Sequence, residues 1–359
     1  MASVGGQTVT CVLGAGSTVQ VSSEIKNDLQ MPTDRDFFKS AQAVLSREKE
    51  FSIQNFLNLL KGLQEMFPSS LGSPDFSYLP GLEEVMTILD LRTEHRPEYG
   101  IEYKRQYEDL LSLIVLTFWR CLTREGREIP STKHDTLTRY LKQAPKSSVI
   151  SFNYDYVMDT ALINAGMFSP VSYGLNFDWQ FDGIFERVTA SAPVDPYRFR
   201  FFKLHGSMTW WRCTECNALV YIAHPNNFEP ILRSRLCQEK GKFLCQNCRT
   251  ESFSPFLVPP LLSKTYNETE WRYIWKNAGA ALRETDKLIM WGYSLPPTDF
   301  YAEYLFRNAL AQRGTKLIQE LVVVNPQEET VERFEALFRP RESRKYNSID
   351  EFFEKEEIV

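Results

Sequence analysis

Five short apolar runs, each closed by small or polar residues, constrain this chain more than any other feature. Thr8–Leu13 (TVTCVL) ends at Gly14-Ala15-Gly16-Ser17, and Ser148–Phe152 (SVISF) at Asn153-Tyr154-Asp155. Phe201–Leu204 ends at His205-Gly206-Ser207, Lys287–Trp291 at Gly292-Tyr293-Ser294, and Glu320–Val324 at Asn325-Pro326. Runs that are continuously apolar, rather than alternating, read as strands covered on both faces. Helical spacing separates most of them: Phe51, Phe56, Leu59, Leu60 and Leu63 recur at three and four, as do Leu82, Val85, Met86 and Leu89. Helices are also expected over 300–312 and 328–338. The expected fold is α/β, a doubly wound parallel sheet with a helical insertion at about 34–145. Ligands of such sheets sit beyond the carboxyl ends of the strands, where Gly14, Gly16, Ser17, Asn153, Asp155, His205, Gly292, Ser294 and Asn325 fall.

Residues 207–262 show little strand or helix periodicity, but they hold Cys213-Thr-Glu-Cys216 and Cys245-Gln-Asn-Cys248. Each CxxC offers two thiolates from one tight turn, and two such turns close a tetrahedral Zn²⁺ site with no open position. The pairs are 28 residues apart, a loop length that adds little entropic cost. A chance pair of CxxC or a redox dithiol are the lesser readings. Cys237 and His224 lie inside the loop as minor substitutes for a ligand, while Cys11 and Cys121 sit in apolar runs and read as core. The expected division is the doubly wound α/β domain, 1–206 and 263–359, and a small zinc-binding module, 207–262.

Composition narrows the function classes. Across 359 residues, 41 Lys+Arg against 46 Asp+Glu give −5, with no basic excess for general nucleic-acid binding. Gly and Pro together, 36 residues, exclude a collagenous or low-complexity chain. The most apolar window, Leu110–Leu122, is 13 residues with Arg120 inside it, short of the ~20 a membrane span needs. The N-terminus shows no secretory signal, so seven cysteines are expected in a reducing, cytoplasmic setting. His95, His134 and the acidic stretch Asp350–Glu357 read as solvated surface.

The glycine turn alone is weak evidence for a nucleotide. It departs from GxGxxG, since Val19 stands three beyond Gly16, and no strand near 30–40 ends in an acidic residue to hold a ribose. A hydride-transferring dehydrogenase is therefore disfavoured. His205 is a candidate general base, against a plain core histidine; Asn153 and Asp155 are candidates against simple turn or cap roles.

In this order the motifs resemble the sirtuin superfamily: strand–GAGS, a helical stretch, Asn-x-Asp, Leu204-His205-Gly206-Ser207, two CxxC pairs, Gly-x-Ser and Val-Asn, spread over about residues 8 to 326. The resemblance implies a cleft for NAD⁺ between a Rossmann-like domain and a structural-zinc module. It implies that Gly14, Ala15, Gly16 and Ser17 cradle the diphosphate, Asn153 orders the nicotinamide ribose and a water, and Asp155 holds the carboxamide. His205 is then the base at the ribose hydroxyls, and Gly292, Ser294 and Asn325 serve the adenosine side. Two departures stand out. Ser17-Thr-Val-Gln-Val-Ser replaces the Ile-Pro-Asp-Phe-Arg-type cofactor loop of deacylases, and Phe256–Lys264, with Pro259-Pro260, replaces their peptide-pairing segment. Consecutive prolines remove two backbone donors, which disfavours strand addition by a substrate peptide. The resemblance thus implies the NAD⁺-hydrolysing branch, found in bacterial anti-phage defence and in larger assemblies. The expected partners are NAD⁺ and either a second copy of the chain or a defence-complex protein. The alternatives are an NAD⁺-dependent protein deacylase and a non-catalytic NAD⁺ or ADP-ribose sensor or scaffold.

Overall fold

All five apolar runs become strands, and a sixth joins them. The computed structural model describes residues 6–358 apart from 23–28, 69–74, 96–99, 125–126, 129, 168–172, 174, 176, 182–184, 187–198, 223–226, 242, 259–268 and 298. Strand β1 (Thr8–Leu13) passes through Gly14 directly into α1 (Ala15–Ser22). Four amphipathic helices follow, α2 (Phe37–Arg47), α3 (Leu57–Met66), α4 (Leu82–His95) and α5 (Gly100–Leu122). A two-residue pair, β2 (Thr123–Arg124) and β3 (Arg127–Glu128), leads to α6 (Thr132–Gln143), capped by the Ser131 hydroxyl. Then come β4 (Lys146–Ser151), α7 (Val157–Asn164), the short β5 (Trp179–Phe181) and β6 (Phe185–Glu186), and β7 (Phe199–Lys203). The cysteine segment folds as β8 (Gly206–Cys213), β9 (Leu219–Ile222), α8 (Phe228–Leu236) and β10 (Phe253–Leu257). The chain closes with α9 (Thr269–Glu284), β11 (Lys287–Trp291), α10 (Phe300–Ala311), β12 (Glu320–Val324), α11 (Glu328–Phe338), β13 (Glu342–Tyr346) and α12 (Ile349–Lys355).

The main sheet is parallel throughout, in the order β13-β12-β11-β1-β4-β7. From β1 the chain builds outward through β4 to β7, then returns to β11 on the other side of β1 and builds outward again. The strand order reverses between β1 and β11, and a ligand crevice opens at the carboxyl end of such a switch point. The sixth strand, β13, has the sequence ESRKY and no apolar run to announce it; it is an edge strand, where charged residues deter further pairing. The acidic C-terminal stretch is not a wholly solvated face either. Ile349, Phe352 and Phe353 of α12 are buried, and the Phe352 ring meets Tyr140 of α6 edge-on at 6.0 Å. Nor is His134 on the surface. It is buried on α6 with its ring 4.6 Å from that of Trp291 and Nδ1 2.9 Å from the Ser131 hydroxyl, and burial pushes its pKa down to about 3.

The 207–262 segment is also more regular than its letters suggest. A second sheet, β10-β8-β9-β5-β6, runs through it. Ser207 and Thr209 of β8 are buried and their hydroxyls lie 2.8 Å apart, so the polar letters of GSMTWWRC conceal a strand covered on both faces. Two apolar clusters form the interior. One joins the main sheet to α6, α9, α10, α11 and α12. The other joins α2 to α5 with β8, β9, α8 and β10, and includes Cys213 and Cys245. Most of the helical insertion therefore shares its core with the cysteine segment, while α6 packs with the parallel sheet. Among the described residues no helix is long and apolar enough to cross a membrane.

Candidate active site at the carboxyl ends of the parallel strands

The turns after β1 and β11 interlock. Gly14 N–H donates to the Trp291 carbonyl at 3.1 Å and Gly16 N–H to the Gly292 carbonyl at 2.9 Å, while Gly292 N–H reaches Val324 at 3.1 Å. A Cβ on Gly14 would lie 2.5 Å from Tyr293 Cα, and one on Gly16 2.9 Å from Gly292 Cα. Gly292 itself has φ +66°. The glycines are thus demanded by the passage of one turn across another, independently of any ligand. Gly14 leads into α1, with exposed Ala15 and half-buried Gly16 at its N-terminus. The Gly14, Gly16 and Ser17 N–H groups are already donated to carbonyls, so what the helix start offers an anion is chiefly the positive end of its dipole.

Ser17 and Thr18 point inward, both buried, and meet the strand-end residue Asn153. Asn153 Nδ2 donates to Ser17 Oγ at 3.0 Å and to Thr18 Oγ1 at 3.3 Å. Each hydroxyl passes its own proton on, Ser17 to the Gly14 carbonyl at 2.8 Å and Thr18 to Asp155 Oδ2 at 2.7 Å. This directional network spends both amide protons of Asn153 and fixes which way the side chain faces. Its carbonyl oxygen Oδ1 is buried and has no hydrogen-bond partner among the described residues. Asp155 is also buried. Its carboxylate accepts from Thr18 and, at 3.0 Å, from Val157 N–H; burial raises its pKa, against the opposing pull of Lys203. Lys203 in turn is buried with Asp159, 2.9 Å away, and donates to the Asp155 carbonyl.

His205 follows β7, the neighbour of β4, and Leu204 N–H donates to the Ser151 carbonyl at 2.9 Å. The imidazole lies against the segment that carries Asn153: its ring is 5.2 Å from that of Phe152 and 6.3 Å from that of Tyr154. Phe152 stacks on Tyr293 at 4.2 Å with the rings 5° from parallel, tying the end of β4 to the end of β11. His205 Nε2 stands 3.5 Å from Asp299 Oδ2, and the Tyr293 hydroxyl donates to that same oxygen at 2.6 Å. Thr18, Tyr293 and Asp299 were not singled out from the sequence. Asp299 could be found there only as an ordinary cap for the helix beginning at Phe300, because its approach to His205 is purely tertiary.

The remaining strand-end residues face other protein groups. The Ser294 carbonyl accepts from Arg333 at 2.9 Å, and Asn325 Oδ1 accepts from Gln327 N–H at 2.9 Å in a turn opening α11. A cavity of about 450 Å³ lies between α9 and α10, walled by Trp271, Trp275, Tyr301 and Tyr304, and none of the strand-end residues lines it. Pro259-Pro260 and His224 lie outside the described residues.

The four cysteines converge. Cys213 closes β8 and Cys216 lies in the turn after it, Cys245 and Cys248 precede β10, and all four sulfurs lie within 4.8 Å of one another. Cys213–Cys248 and Cys216–Cys245 are each 3.5 Å apart. Sulfurs held at about 2.3 Å around a tetrahedral Zn²⁺ stand about 3.8 Å from each other, so this cluster is compatible with a structural zinc. The Thr250 hydroxyl, 3.1 Å from Cys248 Sγ, helps hold that thiol down at about 6. Cys237 is half-buried near Asn55 and outside the cluster, and Cys11 and Cys121 are buried in the core.

No protein-family model and no curated protein matches the chain. Among solved structures it is similar to a Sir2 homologue in complex with NAD, at 14% identity over 99% of this chain and 90% of that one, with a TM-score of 0.46. A structure described for the mechanism and regulation of Sir2 enzymes gives 12% identity, 99% and 94% coverage and 0.46. A Sir2 bound to acetylated peptide gives 17%, 86% and 100%, and 0.41. All three are distant likenesses. The parallel six-stranded sheet and the four-cysteine cluster are both present, as the sequence leads one to expect.

Proposed function

We propose that the crevice at the β1/β11 switch point takes NAD⁺ and that the chain hydrolyses it, NAD⁺ and water giving nicotinamide, ADP-ribose and a proton. The observation that supports this most directly is the Asn153 carbonyl oxygen, buried, without a partner among the described residues, and aimed by a network that begins in the glycine turn. An acceptor fixed in this way suits a water or ribose hydroxyl that must be held still while the glycosidic bond breaks. The fission develops positive charge on the ribose, so catalysis depends on electrostatic placement more than on a strong nucleophile. In this reading Gly14, Ala15, Gly16 and Ser17 present the start of α1 to the diphosphate. Asp155 would receive the carboxamide at carboxylate lone pairs that Thr18 and Val157 leave, and His205 would take a hydroxyl proton. Gly292, Ser294 and Asn325 would meet the adenosine side, and Cys213, Cys216, Cys245 and Cys248 would hold zinc in a structural role. Residues 1–206 and 263–359 then carry the nucleotide and 207–262 the metal. The family resemblance extends the reading to a cytoplasmic protein of anti-phage defence, acting with a second copy or a partner protein.

The test is nicotinamide release from NAD⁺ by purified protein, with and without an acyl-lysine peptide. We expect release without peptide and its loss in Asn153→Ala and His205→Ala. Release that requires the peptide would make the chain a deacylase; tight NAD⁺ binding without turnover would make it a sensor.

A further inference from the structure

We propose that Asp299 is a positioning residue for His205: its carboxylate, at ion-pair distance from Nε2, orients the imidazole and favours the charged form that the ring takes when it accepts a proton. This rests on the NAD⁺-hydrolysing reading. Asp299 stands immediately before α10 and is 2% exposed. A buried carboxylate is costly unless its charge is answered, and here three features answer it. The Tyr293 hydroxyl donates to Oδ2 at 2.6 Å, the Ala302 N–H donates to Oδ1 at 3.3 Å, and the positive end of the α10 dipole lies alongside. A serine would cap α10 equally well. Only an acidic residue also brings a negative charge to 3.5 Å from an imidazole.

The contrast with His134 is instructive. Both rings are buried, but His134 Nδ1 faces a serine hydroxyl, and burial drives that ring to the neutral form. His205 faces a carboxylate, which favours the imidazolium formed when a proton arrives. Among the described residues, titratable groups that face His205 include Tyr154 after β4 and Asp299 before α10, the latter bonded by Tyr293 after β11. Lys203, two residues earlier, is turned instead to Asp159 and the Asp155 carbonyl. In the step itself a substrate O–H bond breaks as an N–H bond forms on the imidazole, and the neutral ring becomes a cation beside Asp299.

Asp299→Asn tests this, because asparagine also caps a helix and is close to isosteric. Asp299→Ser serves as a second capping variant should the first fold poorly. Two readouts are taken: the His205 titration by NMR on ligand-free, carbon-labelled-histidine protein, assigned with His205→Ala, and the pH profile of nicotinamide release. We expect the His205 titration to move down by at least one pH unit in the variant, a tenfold loss of proton affinity. The acid limb of nicotinamide release should move down with it, and the plateau should fall at least tenfold. An unchanged His205 titration would overturn the inference, whatever the enzyme does with NAD⁺. A shifted titration in a protein that releases no nicotinamide would uphold the pair and overturn the hydrolase reading.

Discussion

Gly292→Ala should cost far more than one methyl group ordinarily does. At φ +66° an alanine pays for a left-handed backbone, about 1 kcal/mol. Its Cβ would also overlap Ser17 N and the Gly16 carbonyl carbon and lie 2.8 Å from Gly16 Cα. These neighbours are backbone, so they cannot rotate aside, and overpacking of this kind costs about 1–3 kcal/mol. Separating the turns would further break the Gly16 N–H to Gly292 carbonyl bond, worth about 1 kcal/mol. The total is about 3–5 kcal/mol, to be read as a lowered midpoint at constant slope in urea denaturation followed by tryptophan fluorescence. Gly314→Ala is the control. Its φ is +64°, and nothing lies within 4 Å of the added Cβ, so only the conformational cost of about 1 kcal/mol should appear. Equal midpoint shifts in the two variants would refute the interlocking of the turns.

Burial of His134 makes stability depend on pH. Its folded pKa of about 3 lies below the ordinary 6.5, so the unfolded chain protonates first as the solution is acidified. The stability gained by burying the neutral ring is full above 6.5 and is lost as pH falls from 6.5 toward 3, at about 1.4 kcal/mol per pH unit. His134→Asn should show a shallower loss in urea titrations over that window, and parallel curves would contradict the assignment. Removing the metal should act through packing. Cys213 and Cys245 share an apolar cluster with α2 to α5, so Cys213→Ser or prolonged chelation should abolish one bound zinc per chain and melt helical circular dichroism as well. A metal-free variant with an unchanged spectrum would exclude a structural zinc.

Legibility from sequence followed the burial of each element. Strands β1, β11 and β12 are covered on both faces and were bounded correctly by their apolar letters alone. The edge strand β13 carries three charged residues in five and has no such run. In β8, Ser207 and Thr209 satisfy one another, and in α6 His134 satisfies itself on Ser131, so polar letters there mark interior positions. At the crevice, the residues after β1, β4, β7 and β11 come together at the carboxyl ends of the strands, the juxtaposition their order along the chain suggested. The roles of Thr18 and Asp299 depend on partners 137 and 94 positions away, and no local pattern carries that information.

The short passage Leu204-His205-Gly206 is where the backbone leaves one sheet and enters the other, at a glycine with φ +84° whose missing side chain admits the Phe256 carbonyl. Val258 N–H grips the His205 carbonyl from the far side at 2.9 Å. The imidazole is therefore mounted on a joint. Any tilt between the two layers, whether from a docked protein or a lost metal, would swing its ring like a needle on a pivot, so a mechanical disturbance remote from the crevice would register there as a displaced imidazole.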